Sequence, residues 1–176
     1  MAYFLRRDCG LPGQAIVTLG DGACLKARTG SADVIVTDPP YFDEAAYADL
    51  SDFFYIWLKR AIGESVPEAF STPQTPKAEE ATALKHRHGG NAESADKHFT
   101  TKLGQVFAEA KRVCRSDGLF TIIFAHQETD AWTALIRSLF AAGLTVDATW
   151  PIDMELKNRM RGLNSAALET SIAVVC

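Results

Sequence analysis

Short apolar runs alternate with stretches of helical periodicity along most of this chain, and this alternation limits its fold more than any other feature. The predicted strands are Ala15–Leu19, Asp33–Thr37, Leu119–Ala125, Leu144–Trp150 and Ser171–Cys176. Between them, apolar side chains recur at helical spacing within residues 47–58, 99–113 and 132–140. Strands that alternate with helices are typical of a mostly parallel sheet covered by helices. The sequence therefore predicts an α/β protein in which Phe54 and Trp57 pack against the sheet.

The most informative local feature is Asp38-Pro39-Pro40-Tyr41, which directly follows the predicted strand Asp33–Thr37. In an open α/β sheet, ligands bind beyond the carboxyl ends of the strands. Asp38 offers a carboxylate and Pro39 a carbonyl oxygen, whereas neither proline has an N–H group. Such acceptors stabilise the positive charge that develops on an exocyclic base amine during attack on a carbon. We interpret the tetrad as part of a pocket that methylates a base.

Two aromatic side chains are predicted to complete this pocket. Tyr41 would stack on a base that has been rotated out of its helix, and Phe42 would extend the same platform. The alternative is that Pro39-Pro40 is only a rigid turn with an aromatic neighbour. The four residues together, placed after a strand, favour the functional interpretation.

The tetrad resembles the catalytic motif of the amino-methyltransferases, which use S-adenosylmethionine to methylate adenine N6 or cytosine N4 in DNA. Residues 36–43 and 47–60 are similar to a narrower group, the large adenine-specific DNA methylases that carry a domain of unknown function and sometimes a zinc ribbon. The similarity continues through residues 117–119, 124–126 and 149–152 and covers most of the chain. It implies a Rossmann-like methyltransferase fold, S-adenosylmethionine as cofactor, and double-stranded DNA with a flipped adenine as substrate. It also implies that Asp38, Pro39, Pro40 and Tyr41 are the catalytic residues.

The same resemblance implies a glycine-rich loop of the pattern Phe-x-Gly-x-Gly at the end of a first strand, and no such loop is found in this sequence. The nearest segment, Gly20-Asp21-Gly22, matches better the later acidic position that contacts the adenine of the cofactor. Asp21 is therefore the predicted cofactor-binding residue, with an ordinary turn as the alternative. By resemblance, two strands and the helix between them would precede Met1. Residues 1–176 are then one catalytic domain that is incomplete on its N-terminal, cofactor side.

Further substrate-binding candidates lie towards the end of the chain. Trp150 ends a predicted strand at the same sheet edge as Asp38, and the resemblance places a second base-contacting aromatic in a loop of this kind; core packing explains it equally well. The best basic cluster for DNA consists of Lys157, Arg159 and Arg161, with a solvated loop as the alternative.

Histidines and a long irregular segment provide weaker signals. Residues 67–97 lack apolar periodicity and are predicted to form a long surface loop or mobile insertion that could clamp DNA. His86, His88 and His98 suggest a metal, but no carboxylate or thiol spacing completes a site, so no metal is predicted. His126 also follows a predicted strand and is a candidate for orienting substrate. A general-base role is not required of it, since a carboxylate and solvent can accept the proton.

Composition sets further limits. The formal net charge of −4 argues against tight DNA binding by this chain alone. The four cysteines show neither the close pairing of a zinc site nor the density of a disulfide framework. The N-terminus does not resemble a secretory signal, and no apolar run approaches the length of a membrane span. We expect a soluble, cytoplasmic protein.

Two other functions stay open at this stage. Related Pro-Pro-Tyr motifs also serve methylation of RNA or of guanine amines. Alternatively, the chain is a truncated, non-catalytic fragment or a partner subunit, which the missing glycine-rich loop favours. A sheet edge left open by absent strands would favour self-association or a covering segment.

Overall fold

The computed structural model describes residues 19–152 and 171–176. The strands are β1 (Ala32–Thr37), β2 (Cys114–Phe124), β3 (Ala148–Ile152) and β4 (Ser171–Val175). The α-helices are α1 (Tyr47–Ile62), α2 (Ala92–Val113) and α3 (Thr129–Ala141). Three short 3-10 helices, Pro67–Phe70, Lys77–Glu79 and Lys85–His88, lie between α1 and α2. The prediction of an α/β protein is confirmed.

Four of the predicted strands are present, with shifted ends. β2 begins at Cys114, well before the predicted Leu119, and a bulge interrupts its pairing with β1. β3 begins at Ala148 and not at Leu144, because the Leu144 N–H still donates to the Leu139 carbonyl at 3.0 Å in the turn that ends α3. The predicted strand Ala15–Leu19 lies outside the described residues except for Leu19, which is exposed and not in a strand.

The sheet is mixed, with strand order β1-β2-β4-β3. β1 pairs parallel with β2, whereas β4 runs antiparallel to both β2 and β3. The prediction of a mostly parallel sheet is therefore wrong for the described strands, since β4 is reversed. The apolar pattern of a strand records its burial and not its direction, so sequence could not reveal this. β1, β2 and β3 still point the same way, and their carboxyl ends share one sheet edge with the start of β4, which we call the carboxyl edge.

The hydrophobic core lies on one face of the sheet, under α2 and α3. Its largest members are Phe99, Leu103 and Phe107 of α2, Phe120, Ile122 and Phe124 of β2, and Leu135 and Leu139 of α3. The Asn91 side chain caps α2 by accepting the Ser94 N–H at 2.9 Å. Because full burial of each large apolar side chain contributes about 1.5–3 kcal/mol, this layer is the main source of stability in the described chain.

Helix α1 is not part of this core. None of its residues is buried, and Phe54 and Trp57 are 65% and 58% exposed. The prediction that these two side chains pack against the sheet is therefore wrong. Helical periodicity identifies an apolar stripe, but it does not say which element covers that stripe.

Polar contacts hold α1 to the segment that follows it. Asp52 accepts hydrogen bonds from the Thr75 N–H at 2.9 Å and the Thr75 hydroxyl at 2.6 Å, and it forms an ion pair with Lys77. These bonds hold the pKa of Asp52 down at about 2, with the Lys77 hydrogen bond as the largest cause. Asp52 is thus a charged anchor between α1 and the loop.

A second polar anchor is largely removed from solvent. Arg87 donates to Asp49 at 2.8 Å and forms an ion pair with Glu80, whose side chain is 8% exposed. Glu80 also accepts the Ala48 N–H at 2.9 Å. These contacts, together with the burial of Thr82 and Ala83, order the first part of the 67–97 segment. The segment then passes through the 3-10 helix Lys85–His88 and a turn into α2, which begins at Ala92.

Candidate functional site

The tetrad forms a turn at the carboxyl edge of the sheet, immediately after β1, as the sequence predicts. Asp38 is exposed, Pro39 is buried, and Pro40 and Tyr41 are half-buried. The Phe42 N–H donates to the Pro40 carbonyl at 3.0 Å, so the turn closes on itself and the Pro40 oxygen is already used. The turn therefore presents the Asp38 carboxylate outwards on a tightly folded backbone.

Residues beyond the tetrad hold this turn from the inside. Phe42 has a φ of 53°, a left-handed conformation that is uncommon for a residue other than glycine. Its carbonyl accepts the Ala83 N–H at 2.9 Å, and its ring packs edge-on against Phe99 with centroids 5.1 Å apart. The ring is 8% exposed, so in this conformation Phe42 presents no open face for a base to stack on. Phe42 instead anchors the turn in the core.

Tyr41 lies between the core and the exposed Asp38. Its ring contacts Phe124 edge-on, with centroids 5.5 Å apart. Burial raises the pKa of the Tyr41 phenol to about 12, helped by its interaction with the Asp38 carboxylate and opposed by a hydrogen bond with Ser171. The phenol is therefore neutral at physiological pH and available to donate to Asp38.

Two residues of this site were not identified as functional from the sequence. Ser171, at the start of β4, is 8% exposed and reaches Tyr41 because β4 begins at the carboxyl edge. Tyr47, the first residue of α1, interacts through its phenol with the Tyr41 backbone N–H, and burial raises its pKa. Neither position carries a local motif, since both meet the tetrad only through the tertiary fold.

His126 lies behind the tetrad and does not face the open edge. Its Nδ1 accepts the Glu128 N–H at 3.0 Å, so the ring proton belongs on Nε2, which lies 3.3 Å from Asp43 Oδ1. The side chain is 5% exposed, and its ring packs edge-on against Phe42. His126 thus supports the residues that follow the tetrad, and it is not exposed to orient a substrate directly.

Asp21 forms the turn that was the alternative interpretation of its sequence. Its carboxylate accepts the Ala23 N–H at 2.9 Å, and its carbonyl accepts the Cys24 N–H at 3.0 Å. The neighbouring Gly22 lies against α2, since a Cβ added there would contact Val106. Along the helix axis, Val106 is about 10 Å from Phe99, the α2 residue that packs on Phe42. The turn thus lies along α2 away from the Phe42 contact, and cofactor binding by Asp21 stays a prediction.

Trp150 and the basic cluster are separate from the tetrad in different ways. Trp150 is 65% exposed on β3 and pairs with Ala173, which in turn pairs with Ile123. β3 and β1 are three strand spacings apart in the sheet. Trp150 therefore lies about 14 Å from the position of Asp38, which directly follows β1. The predicted DNA-binding residues Lys157, Arg159 and Arg161 lie outside the described residues.

An acidic cavity of about 330 Å³ opens on the far side of Phe42 and Asp43. Its charged lining residues are Asp43, Glu93, Asp96, Glu128 and Asp130 against Lys85 and Arg137. In the described ranges, no group of three or more His, Cys, Asp or Glu side chains is arranged to hold a metal ion. An excess of carboxylates makes this side of the site unfavourable for a polyanion.

Comparison with known proteins does not extend these observations. No protein-family model matches the chain, and no curated protein matches it. No helix within residues 19–152 and 171–176 is long and apolar enough to cross a membrane.

Proposed function

We propose that this chain is the catalytic part of an S-adenosylmethionine-dependent DNA methyltransferase of Rossmann-like fold that acts on the N6 amine of a flipped adenine. The observation that supports this most directly is the exposed Asp38 carboxylate on an anchored Pro-Pro turn at the carboxyl edge, with the neutral Tyr41 phenol beside it. Ligands of open α/β sheets bind at this edge.

The roles of the residues follow from their positions. One Asp38 oxygen would interact with the Tyr41 phenol, which leaves the other to accept a hydrogen bond from the adenine amine. The Pro39 carbonyl would accept the second amine hydrogen. Two acceptors on a rigid turn stabilise the developing positive charge on nitrogen without reorganising, which is where most of the rate enhancement would arise. The half-buried Tyr41 ring would contact the flipped base.

The described residues fit the amine-holding side of such a site better than its cofactor side. S-adenosylmethionine, when bound, supplies the electrophilic methyl group. Among residues 19–152 and 171–176, Asp21 uses its carboxylate within its own turn, and no glycine-rich loop adjoins the tetrad. In this proposal a further segment or a subunit would complete the cofactor site beside β1, which is an edge strand among the described strands and has Val34 and Val36 58% and 63% exposed on one face.

A second candidate function is a non-catalytic partner subunit. The exposed apolar side chains of α1, among them Phe53, Phe54 and Trp57, favour it, since contiguous apolar patches mark interaction surfaces. Methylation of RNA is the same chemistry on another polymer, and a parallel assay with RNA separates the two substrates.

The test is Asp38→Ala in the complete enzyme, with the segment or subunit that supplies the cofactor side present, measured as transfer of labelled methyl groups from S-adenosylmethionine to an adenine-containing duplex. We expect a loss of about 100-fold or more, as for removal of one transition-state hydrogen-bond partner. Calorimetric binding of the cofactor should be nearly unchanged. Asp33→Ala is the matched control, because Asp33 is exposed at the other end of β1 and forms an ion pair with Arg115. Retained turnover in Asp38→Ala would overturn the proposal, and a wild-type chain that stays inactive when the cofactor side is supplied would favour the partner-subunit function.

A further inference from the structure

A basic depression lies on the opposite flank of α2 from the acidic cavity. Its volume is about 360 Å³. Its lining includes the basic side chains His88, Lys97, His98 and Lys102 and the hydroxyl groups of Ser94 and Thr101. Among the described residues that line it, none is acidic. The depression therefore combines positive charge with hydrogen-bond donors, as an anion-binding site does.

The imidazoles of the basic depression are held in place. His98 Nε2 donates to the Glu80 carbonyl at 2.9 Å, and the ring centroids of His88 and His98 are 5.0 Å apart. His88 is followed by Gly89 and Gly90, whose φ angles of 62° and 82° turn the chain into the capped start of α2. The donors are thus organised by backbone contacts from the segment that also anchors α1.

The two charged surfaces share the amino-terminal turns of α2. Lys97 and Thr101 line the basic depression, whereas Asp96 and Glu93, one turn before Lys97, line the acidic cavity. A polyanion near the amino end of α2 is consequently attracted to one flank and repelled from the other. This arrangement compensates locally for a net charge that is negative over the whole chain.

The basic depression lies at the amino end of α2. His98 precedes Phe99, whose ring packs directly on Phe42. The amino end of α2, where Lys97 and His98 lie, is therefore the end that adjoins the carboxyl edge. A nucleotide flipped into a pocket at Asp38 would bring neighbouring phosphates to this side of the molecule.

We propose that the basic depression binds the phosphodiester backbone of DNA beside the flipped base, an inference that rests on the proposed function. Lys97 and Lys102 would neutralise phosphate charge, while the Thr101 and Ser94 hydroxyls and the His88 imidazole would donate hydrogen bonds. Lys102 also pairs with Glu79, whose side chain is 67% exposed. Because exposed ion pairs contribute about 1 kcal/mol or less, phosphate can displace that partner.

The test is the salt dependence of binding between the full chain and a short fluorescent DNA duplex, followed by polarisation. Each lysine–phosphate contact adds about 1 to the slope of log K against log salt, so Lys97→Gln/Lys102→Gln should lower that slope by about 2. The matched control is Lys26→Gln/Arg28→Gln, which removes the same charge from the segment before β1, at the other end of the sheet. We expect the control to keep the wild-type slope.

The outcomes distinguish this inference from the proposed function. Equal slopes in both double variants, or no DNA binding by the wild-type chain, would overturn the inference. DNA binding that depends on Lys97 and Lys102, without methyl transfer when the cofactor side is supplied, would support the inference and count against the methyltransferase. Methyl transfer that is unaffected in Lys97→Gln/Lys102→Gln would leave the enzyme intact and place the phosphate contacts elsewhere.

Discussion

Two sides of the molecule are stabilised by different kinds of interaction. On the side of α2 and α3, apolar side chains fill the space above the sheet, and Phe99, Phe107 and Leu135 are fully buried. On the side of α1 and β1, apolar side chains such as Phe54 and Val36 are exposed. Ion pairs and hydrogen bonds to the 72–87 segment hold α1 there instead.

The comparison shows a difference in packing. Both α1 and α2 carry an apolar stripe, yet the described residues cover only the stripe of α2. Apolar packing is insensitive to pH and salt, whereas charged anchors depend on both. The two sides should therefore respond differently to mutation and to acid.

Phe107→Ala should produce the largest loss of stability. Phe107 is 0% exposed and packs edge-on against Phe120 at 5.6 Å. Removing a buried aromatic ring leaves a cavity, so we expect the free energy of unfolding in urea to fall by about 3–5 kcal/mol. Phe140→Ala on α3 is the matched control, since Phe140 is 61% exposed and should change stability much less. Equal effects of the two substitutions would mean that the α2–α3 layer is not the core in solution.

Acid should weaken the other side by a different mechanism. Lys77 and Thr75 lower the pKa of Asp52 to about 2 from its ordinary value of 3.8, so its ionised form stabilises the fold above about pH 4. That contribution is lost as the pH falls from about 4 to about 2.

Asp52→Asn should accordingly lower the urea midpoint at neutral pH, and its difference from wild type should shrink towards pH 2. Glu64→Gln, an exposed acid just beyond α1, serves as the control with no such pH-dependent difference. A difference between Asp52→Asn and wild type that persists unchanged at pH 2 would mean that charge on Asp52 is not what anchors α1.

Sequence reasoning located the tetrad and failed on its surroundings for identifiable reasons. The apolar run before Asp38 was enough to place the turn at the carboxyl edge of a strand. The burial of Phe42 depends on Ala83, about forty residues later, and no local pattern encodes such a contact. Ser171 reaches Tyr41 only because β4 is antiparallel, which is the feature of the sheet that its apolar pattern could not predict.

The error at α1 has the same origin. The spacing of Phe54 and Trp57 predicted the helix correctly, but covering its stripe requires a second surface that the described residues do not supply. Local periodicity specifies the element, whereas its burial is a property of the whole assembly.

Phe54→Ser should have the smallest effect on stability and so gives the sharpest test of the open side. Substitutions of exposed residues usually change the free energy of unfolding by less than about 0.5 kcal/mol. We expect that result here, measured by urea unfolding at low protein concentration. At high concentration, sedimentation should show less self-association than for wild type, because an exposed apolar patch on α1 has been made smaller.

A large loss of stability in Phe54→Ser would contradict the difference in packing between the α1 side and the α2–α3 side. A loss of about 2 kcal/mol or more is typical of a buried side chain and not of an exposed one. It would mean that the α1 stripe is covered in solution, by residues outside the described ranges or by a second copy. Dependence of that loss on protein concentration separates the two, since only contacts between chains strengthen with concentration. A concentration-independent loss would place the covering surface within this chain and would remove the main observation that favours a partner subunit.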